Sequence, residues 1–256
     1  QKKGKLAVSV VATAGCSHAE SAGEKIAVEE ITGTINVIVL MDADPTESCL
    51  VATLATAVEA KAAAMRELDI RSRYTGDSAT GTITDSVAVA ATNNGHKMVL
   101  GGPASVLGQL VGNCVRQAVR EAINNQGESL PSRSILDRLR ERHLSVEKLA
   151  AELCNIKSLA IDEATITSEL SLILEDSFAA SVVMAAVKFD DDIEKGLIPL
   201  EIGKTDASAK CFGELIARTN VEQTEWKMVN LSPFLRETLI ALLMTAGSKA
   251  KSESLK

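Results

Sequence analysis

Two stretches concentrate the groups that acid–base chemistry needs. SATGTITDSVAVA, residues 78–90, sets three threonines, two serines and a glycine around one carboxylate, Asp85. VEAKAAAM, residues 58–65, carries Glu59 and Lys61 two positions apart. A carboxylate beside hydroxyls can act as a general base, or can orient one. The same carboxylate at the head of an apolar run can simply accept backbone N–H groups and cap a turn. If residues 80–84 are extended, Thr80, Thr82 and Thr84 share one face and Asp85 points the other way. Bringing Asp85 to the threonines then requires a bend, which Gly81 can supply. On a helix, Glu59 and Lys61 fall at opposite borders of the apolar stripe. Neither has an oppositely charged residue three or four positions away, so each reaches water as rim charge or finds a partner elsewhere in the fold.

Other candidates are weaker. His18 follows Cys16 and Ser17 in TAGCSHAESAGE, but adjacent residues rarely meet as nucleophile and base. His96 falls in a turn and His143 between two polar helices. No HExxH, P-loop, GxGxxG or Cys/His ligand cluster occurs, and no metal site is expected. The five cysteines are spread along the chain without a CxxC, which reads as reduced intracellular thiols. The net charge of −7 argues against a general nucleic-acid binder. Residues 134–153 have the outline of a helix-turn-helix with Arg138, Arg140 and Arg142, but acids are interleaved among them. No signal peptide precedes the first β-like run. The chain begins at Gln1 and not Met, which leaves room for residues ahead of it. Residues 234–246 are too short to span a bilayer.

The elements that must position these groups can be read from the pattern. The 256 residues suffice for a sizeable core. Residues 5–14 and 34–41 are nearly continuous apolar runs, expected to be strands buried on both faces. Pro45 and Thr46 open a helix over 46–69, with Thr46 as its cap. Val51, Leu54, Ala55, Val58, Ala62 and Met65 form its apolar stripe. A strand near 83–92, the turn Asn93-Asn94-Gly95 and a strand at 97–101 suggest a hairpin. A second helix is expected over 104–125, facing the core through Val106, Leu110, Cys114, Val115, Ala118, Val119 and Ala122. The fold class is α/β, a layered mixed sheet with flanking helices over residues 1–125. Residues 126–133 read as a linker. Residues 134–256 read as a mainly helical extension, with helices near 133–142, 145–154, 163–187 and 232–246. Ser232-Pro233 starts the last helix and Gly247 stops it.

Three segments together resemble adenosylcobinamide amidohydrolases: GTINVIVL at 33–40, VEAKAAAMRELDIRSRYTG at 58–76, and ATGTITDSVAVA at 79–90. TAGCSHAESAGE at 13–24 and GGPASVLGQLVGNCVRQAVREAI at 101–123 fit less tightly. The resemblance implies hydrolysis of the amide that joins aminopropanol to the corrin ring's propionyl side chain, yielding adenosylcobyric acid for corrinoid salvage. It carries over to Glu59, Lys61 and Asp85, whose side-chain chemistry makes them the catalytic candidates. It also carries over to Gly33, Thr34, Asn36, Thr80, Gly81, Thr82 and Thr84 as substrate-binding residues. Val58 stands where Thr is usual, Ile83 where Gly is usual, and His18 near a usual Asn.

Amide hydrolysis needs an activated nucleophile, charge stabilisation on the carbonyl oxygen and an acid for the leaving amine. Glu59 or Asp85 would activate a water, with Lys61 or Asn36 stabilising the oxyanion. The alternative is a hydroxyl nucleophile, Thr80 or Thr82, activated by Lys61 or Asp85. The cobalt corrinoid would be substrate, with no cofactor required. The expected setting is cytoplasmic, with no nucleic acid or membrane as partner and homo-oligomerisation open. A non-catalytic corrinoid-binding or sensing protein is the other class that fits.

Overall fold

The computed structural model describes residues 1–4, 6–25, 33–126, 133–156, 161–199, 205–217 and 230–253. The chain divides into two compact units, Gln1–Arg133 and Ser134–Lys256. The stretch read as a linker falls largely on 127–132, outside the described residues.

The first unit runs β1 (Lys2–Lys3), β2 (Leu6–Ala14), β3 (Ala19–Glu20), β4 (Ile35–Asp42), β5 (Asp44–Pro45), α1 (Glu47–Glu67), β6 (Gly81–Thr82), β7 (Ser86–Ala91), β8 (Lys97–Met98) and α2 (Val106–Asn124). Its main sheet has the order β1-β2-β4-β7. β2 lies antiparallel to β4, with Val11 opposite Ile38. β4 and β7 are parallel, with Asn36 opposite Ser86 and Ile38 opposite Ala88. A parallel pair needs a crossover, and α1 supplies it. The expected α/β class with a mixed sheet and flanking helices holds.

The two long strands are not buried on both faces. Burial alternates strictly along β4. Ile35, Val37, Val39 and Met41 face the core that α1 and α2 share, while Ile38 and Leu40 are exposed with Val11. The apolar runs were therefore misleading: one side of an apolar strand here stays open.

α1 begins where expected. The Thr46 hydroxyl accepts the Cys49 N–H at 3.2 Å. Its buried face is different from the apolar stripe, however. Cys49, Thr53, Thr56, Ala57, Ala60, Lys61 and Ala64 are buried, whereas Val51, Leu54 and Val58 are exposed. Of the expected stripe only Met65 is buried. Small side chains allow the helix to approach its neighbours closely. The Thr53 and Thr56 hydroxyls tolerate burial because they donate to the Cys49 and Ala52 carbonyls. Thr56 also reaches the Gly101 carbonyl at 2.9 Å. α2 buries Leu110, Cys114, Val115 and Val119 as expected, but Val106 is exposed and Leu107, Val111 and Ile123 complete the face.

The expected hairpin does not form. Asn93 and Gly95 do adopt left-handed backbone, but the turn carries the chain past β7, and β8 pairs in parallel with β5.

The second unit comprises α3 (Ile135–Arg140), α4 (Val146–Leu153), α5 (Glu163–Ile173), α6 (Ser177–Glu194), α7 (Thr205–Ala217) and α8 (Pro233–Glu253). Three expectations change. The helix read over 163–187 is two helices bent by 108°, because Asp176 accepts the Phe178 and Ala179 N–H groups and starts a new one. α7 had no expected counterpart. α8 starts at Pro233 as expected but continues through Gly247. Around α8 the core gathers Leu149, Leu153, Ile166, Leu170, Val183 and Leu239.

Candidate active site

Asp85 ends the segment from β6 and leads directly into β7. Its carboxylate collects four donors. Oδ1 accepts the Ile35 N–H at 2.9 Å and the Thr82 hydroxyl at 2.6 Å. Oδ2 accepts the Thr82 N–H at 3.1 Å and forms an ion pair with the Lys61 ammonium. The side chains of Lys61 and Asp85 are only 8% and 11% exposed. Asp85 thus joins the start of β4, the start of β7 and the middle of α1. A carboxylate offers about four lone-pair positions, and all are occupied.

The turn that makes this arrangement spans Thr82 to Asp85. Gly81 does not supply the bend; it supplies space. A Cβ on Gly81 would stand 2.7 Å from Lys61 Nζ and closer still to Asp85 Oδ2. Gly33 has φ of +85°, and a Cβ there would lie 2.7 Å from the Gly15 carbonyl oxygen. This close crossing sets Thr34 beside Thr84, whose hydroxyls are 2.9 Å apart. Thr84 also donates to the Gly33 carbonyl at 3.1 Å.

The residues read from sequence therefore separate into groups. Lys61, Gly81, Thr82 and Asp85 form the buried cluster. Gly33, Thr34 and Thr84 lie beside it. Asn36 stands on the open sheet face, donating to Thr13 at 3.2 Å. Thr80 turns away, its hydroxyl accepting the Ala22 N–H at 2.9 Å. Glu59 is exposed and faces a different feature, a groove of about 570 Å³ between α1 and α2. Ile83, where the resemblance expects Gly, is 41% exposed and does not fill the cluster. Val58, where it expects Thr, lies on the outer face of α1, away from Asp85.

Glu24 was not anticipated. It accepts the Ser21 N–H at 3.0 Å and the Ser72 hydroxyl at 2.8 Å, and it binds the Thr75 hydroxyl. Burial pushes its carboxyl up, but the bonds from Thr75, the Ser21 N–H and Ser72 outweigh that and hold it below the ordinary range. The spacing Ser21-x-x-Glu24 is that of a capping box, a signal available in the sequence. Among the described residues, no three His, Cys, Asp or Glu side chains are grouped to share a metal ion.

The model of a known protein family, adenosylcobinamide amidohydrolase, matches residues 1–131. The chain belongs to the adenosylcobinamide amidohydrolase family. In this family member the match covers nearly all of the first unit and none of the second. An uncharacterized protein of Methanocaldococcus jannaschii is 33% identical over 103 residues, which is 40% of this chain and 40% of that protein. The chain thus matches less than half of that relative's length. No solved structure matches the family member. Taken singly, α1 is the one helix among the described residues long and apolar enough to cross a membrane, and it packs against β7 and α2.

Proposed function

We propose that the protein hydrolyses the aminopropanol amide of adenosylcobinamide, giving adenosylcobyric acid for corrinoid salvage in the cytoplasm. Thr82, Asp85 and Lys61 carry the reaction. The observation that supports this assignment is the 2.6 Å bond from the Thr82 hydroxyl to Asp85 Oδ1. With its other lone pairs taken, Asp85 has no position left for a water, so the proton it can accept is that of Thr82. Thr82 Oγ adds to the amide carbon as its proton passes to Asp85. The C–N bond then breaks, the amine leaves with that proton, and water hydrolyses the resulting ester. Lys61 positions Asp85 and balances its charge. Thr34 and Thr84 offer hydroxyls to the substrate at the rim. Glu59 lies about 200° from Lys61 around α1 and takes no part in proton transfer. Cobalt enters only within the substrate, and no cofactor, nucleic acid or membrane is needed.

The test is aminopropanol release from adenosylcobinamide by the full chain. Thr82→Ala should lose at least about a thousandfold in turnover while Thr82→Ser keeps a measurable part. Full turnover by Thr82→Ala would remove Thr82 as nucleophile. The burial of Thr82, 7% exposed, favours a second reading, a corrinoid-binding protein without turnover. Corrinoid binding with no aminopropanol released by the native chain would establish that reading instead.

A further inference from the structure

The outward face of α1 is apolar and unpartnered within the first unit. Val51 is 68% exposed, Leu54 38% and Val58 44%, with Ala55 exposed beside them and Ala62 half-buried. A helix apolar on both sides normally has both sides covered. The spacing along the exposed face is 51, 55, 58, 62, steps of four, three and four, as in a helix–helix seam. That spacing is symmetric about its midpoint between 56 and 57. An antiparallel copy of α1 would place Val51 opposite Ala62 and Ala55 opposite Val58. The same symmetry places Glu47 opposite Arg66. Glu47 and Arg66 are exposed, on the first and last turns, and neither has a partner among the described residues. Two equivalent acid–base pairs would close the two ends of the seam. Glu59 would fall opposite Leu54 at the edge, where its stem packs and its carboxylate reaches water.

The neighbouring surface suits the same occupant. The groove between α1 and α2 has Ala60, Ala63, Gly108 and Gly112 along it, flanked by Gln109 and Asn113. Small residues leave room for side chains from a second helix. The 21 residues of α1 span ~31 Å, and two packed helices are ~20 Å wide, so the face offers on the order of 600 Å² per copy. A standard interface buries ~800 Å² per partner.

We infer that the protein forms a two-fold symmetric dimer through α1, with Glu47 of one copy paired to Arg66 of the other. The interface is isologous, the commonest kind in soluble oligomers. It does not depend on the proposed reaction.

Light scattering and sedimentation of the full chain over a range of concentrations test it. The native chain should show twice the chain mass. Val58→Glu should give monomer with unchanged circular dichroism. Glu47→Arg and Arg66→Glu should each weaken association about tenfold, and the double variant Glu47→Arg/Arg66→Glu should restore it. The charge exchange keeps the test decisive even where a single variant folds poorly. A monomer at every concentration overturns the inference, as does a dimer indifferent to Val58→Glu or a double variant that fails to recover. A monomer whose α1 face is shielded from labelling, or one that floats with lipid vesicles, assigns the face to another occupant and also overturns it.

Discussion

Four donors converge on Asp85, and under the proposed reaction that saturation leaves the Thr82 hydroxyl as the group it serves. The cluster leaves no slack, because Gly81 lies against both members of the ion pair. Gly81→Ala should therefore keep the fold by circular dichroism yet lower turnover by ten- to about a hundredfold, the scale of an ångström-size displacement of catalytic groups. Wild-type turnover in that variant would show that the ion pair yields freely. Glu24 carries a different consequence. Its folded-state value lies below the ordinary 4.5, so its contribution is present above the ordinary carboxylate range and lost as pH falls through the depressed value. Glu24→Gln should lower stability near neutral pH and flatten the acid limb of a urea-unfolding series. The hydroxyls and the acid of SATGTITDSVAVA were legible in the sequence as a candidate cluster, and Thr82 and Asp85 do meet. The pairing of Thr82 alone with Asp85 was not legible, because it depends on a turn through Ile83 and Thr84, residues without the usual turn chemistry.

At the level of elements, boundaries were more legible than faces. Pro45 and Thr46 marked the start of α1, and Ser232-Pro233 that of α8. The buried side of α1 was hidden because alanines and threonines, not the larger apolar residues, make the contacts. Asn93-Asn94-Gly95 was legible as a turn, but nothing local says that β8 joins β5. The α5–α6 break was concealed by an apolar pattern that continues across it. Asp176 makes that break, so Asp176→Ala should cost about 1 kcal/mol in stability. Denaturant unfolding of the variant checks this, and an unchanged midpoint would mean that packing against α8 alone defines the corner.

Among the described residues the two units build their main cores from separate residues, and the family match stops with the first. The second holds an ionisable pair of its own. Burial pushes the Glu237 carboxyl up, with Arg236 opposing. A raised acid costs stability when ionised, so the cost is absent below the ordinary value and grows as pH rises through the raised one. The first unit carries a constraint of another kind. Asp85 meets Lys61 across 24 positions and the Ile35 N–H across 50. No locally folded fragment can contain that junction, since it exists only after β7 has docked beside β4 across the α1 crossover. Long-range parallel pairing is slow relative to helix formation. On dilution from denaturant, far-UV ellipticity should thus recover before aminopropanol release does. Simultaneous recovery of the two signals would mean that strand docking is no slower than helix growth. Under the proposed reaction such a lag is a kinetic signature of where Asp85, Lys61 and Thr82 sit: activity waits for a long-range docking step.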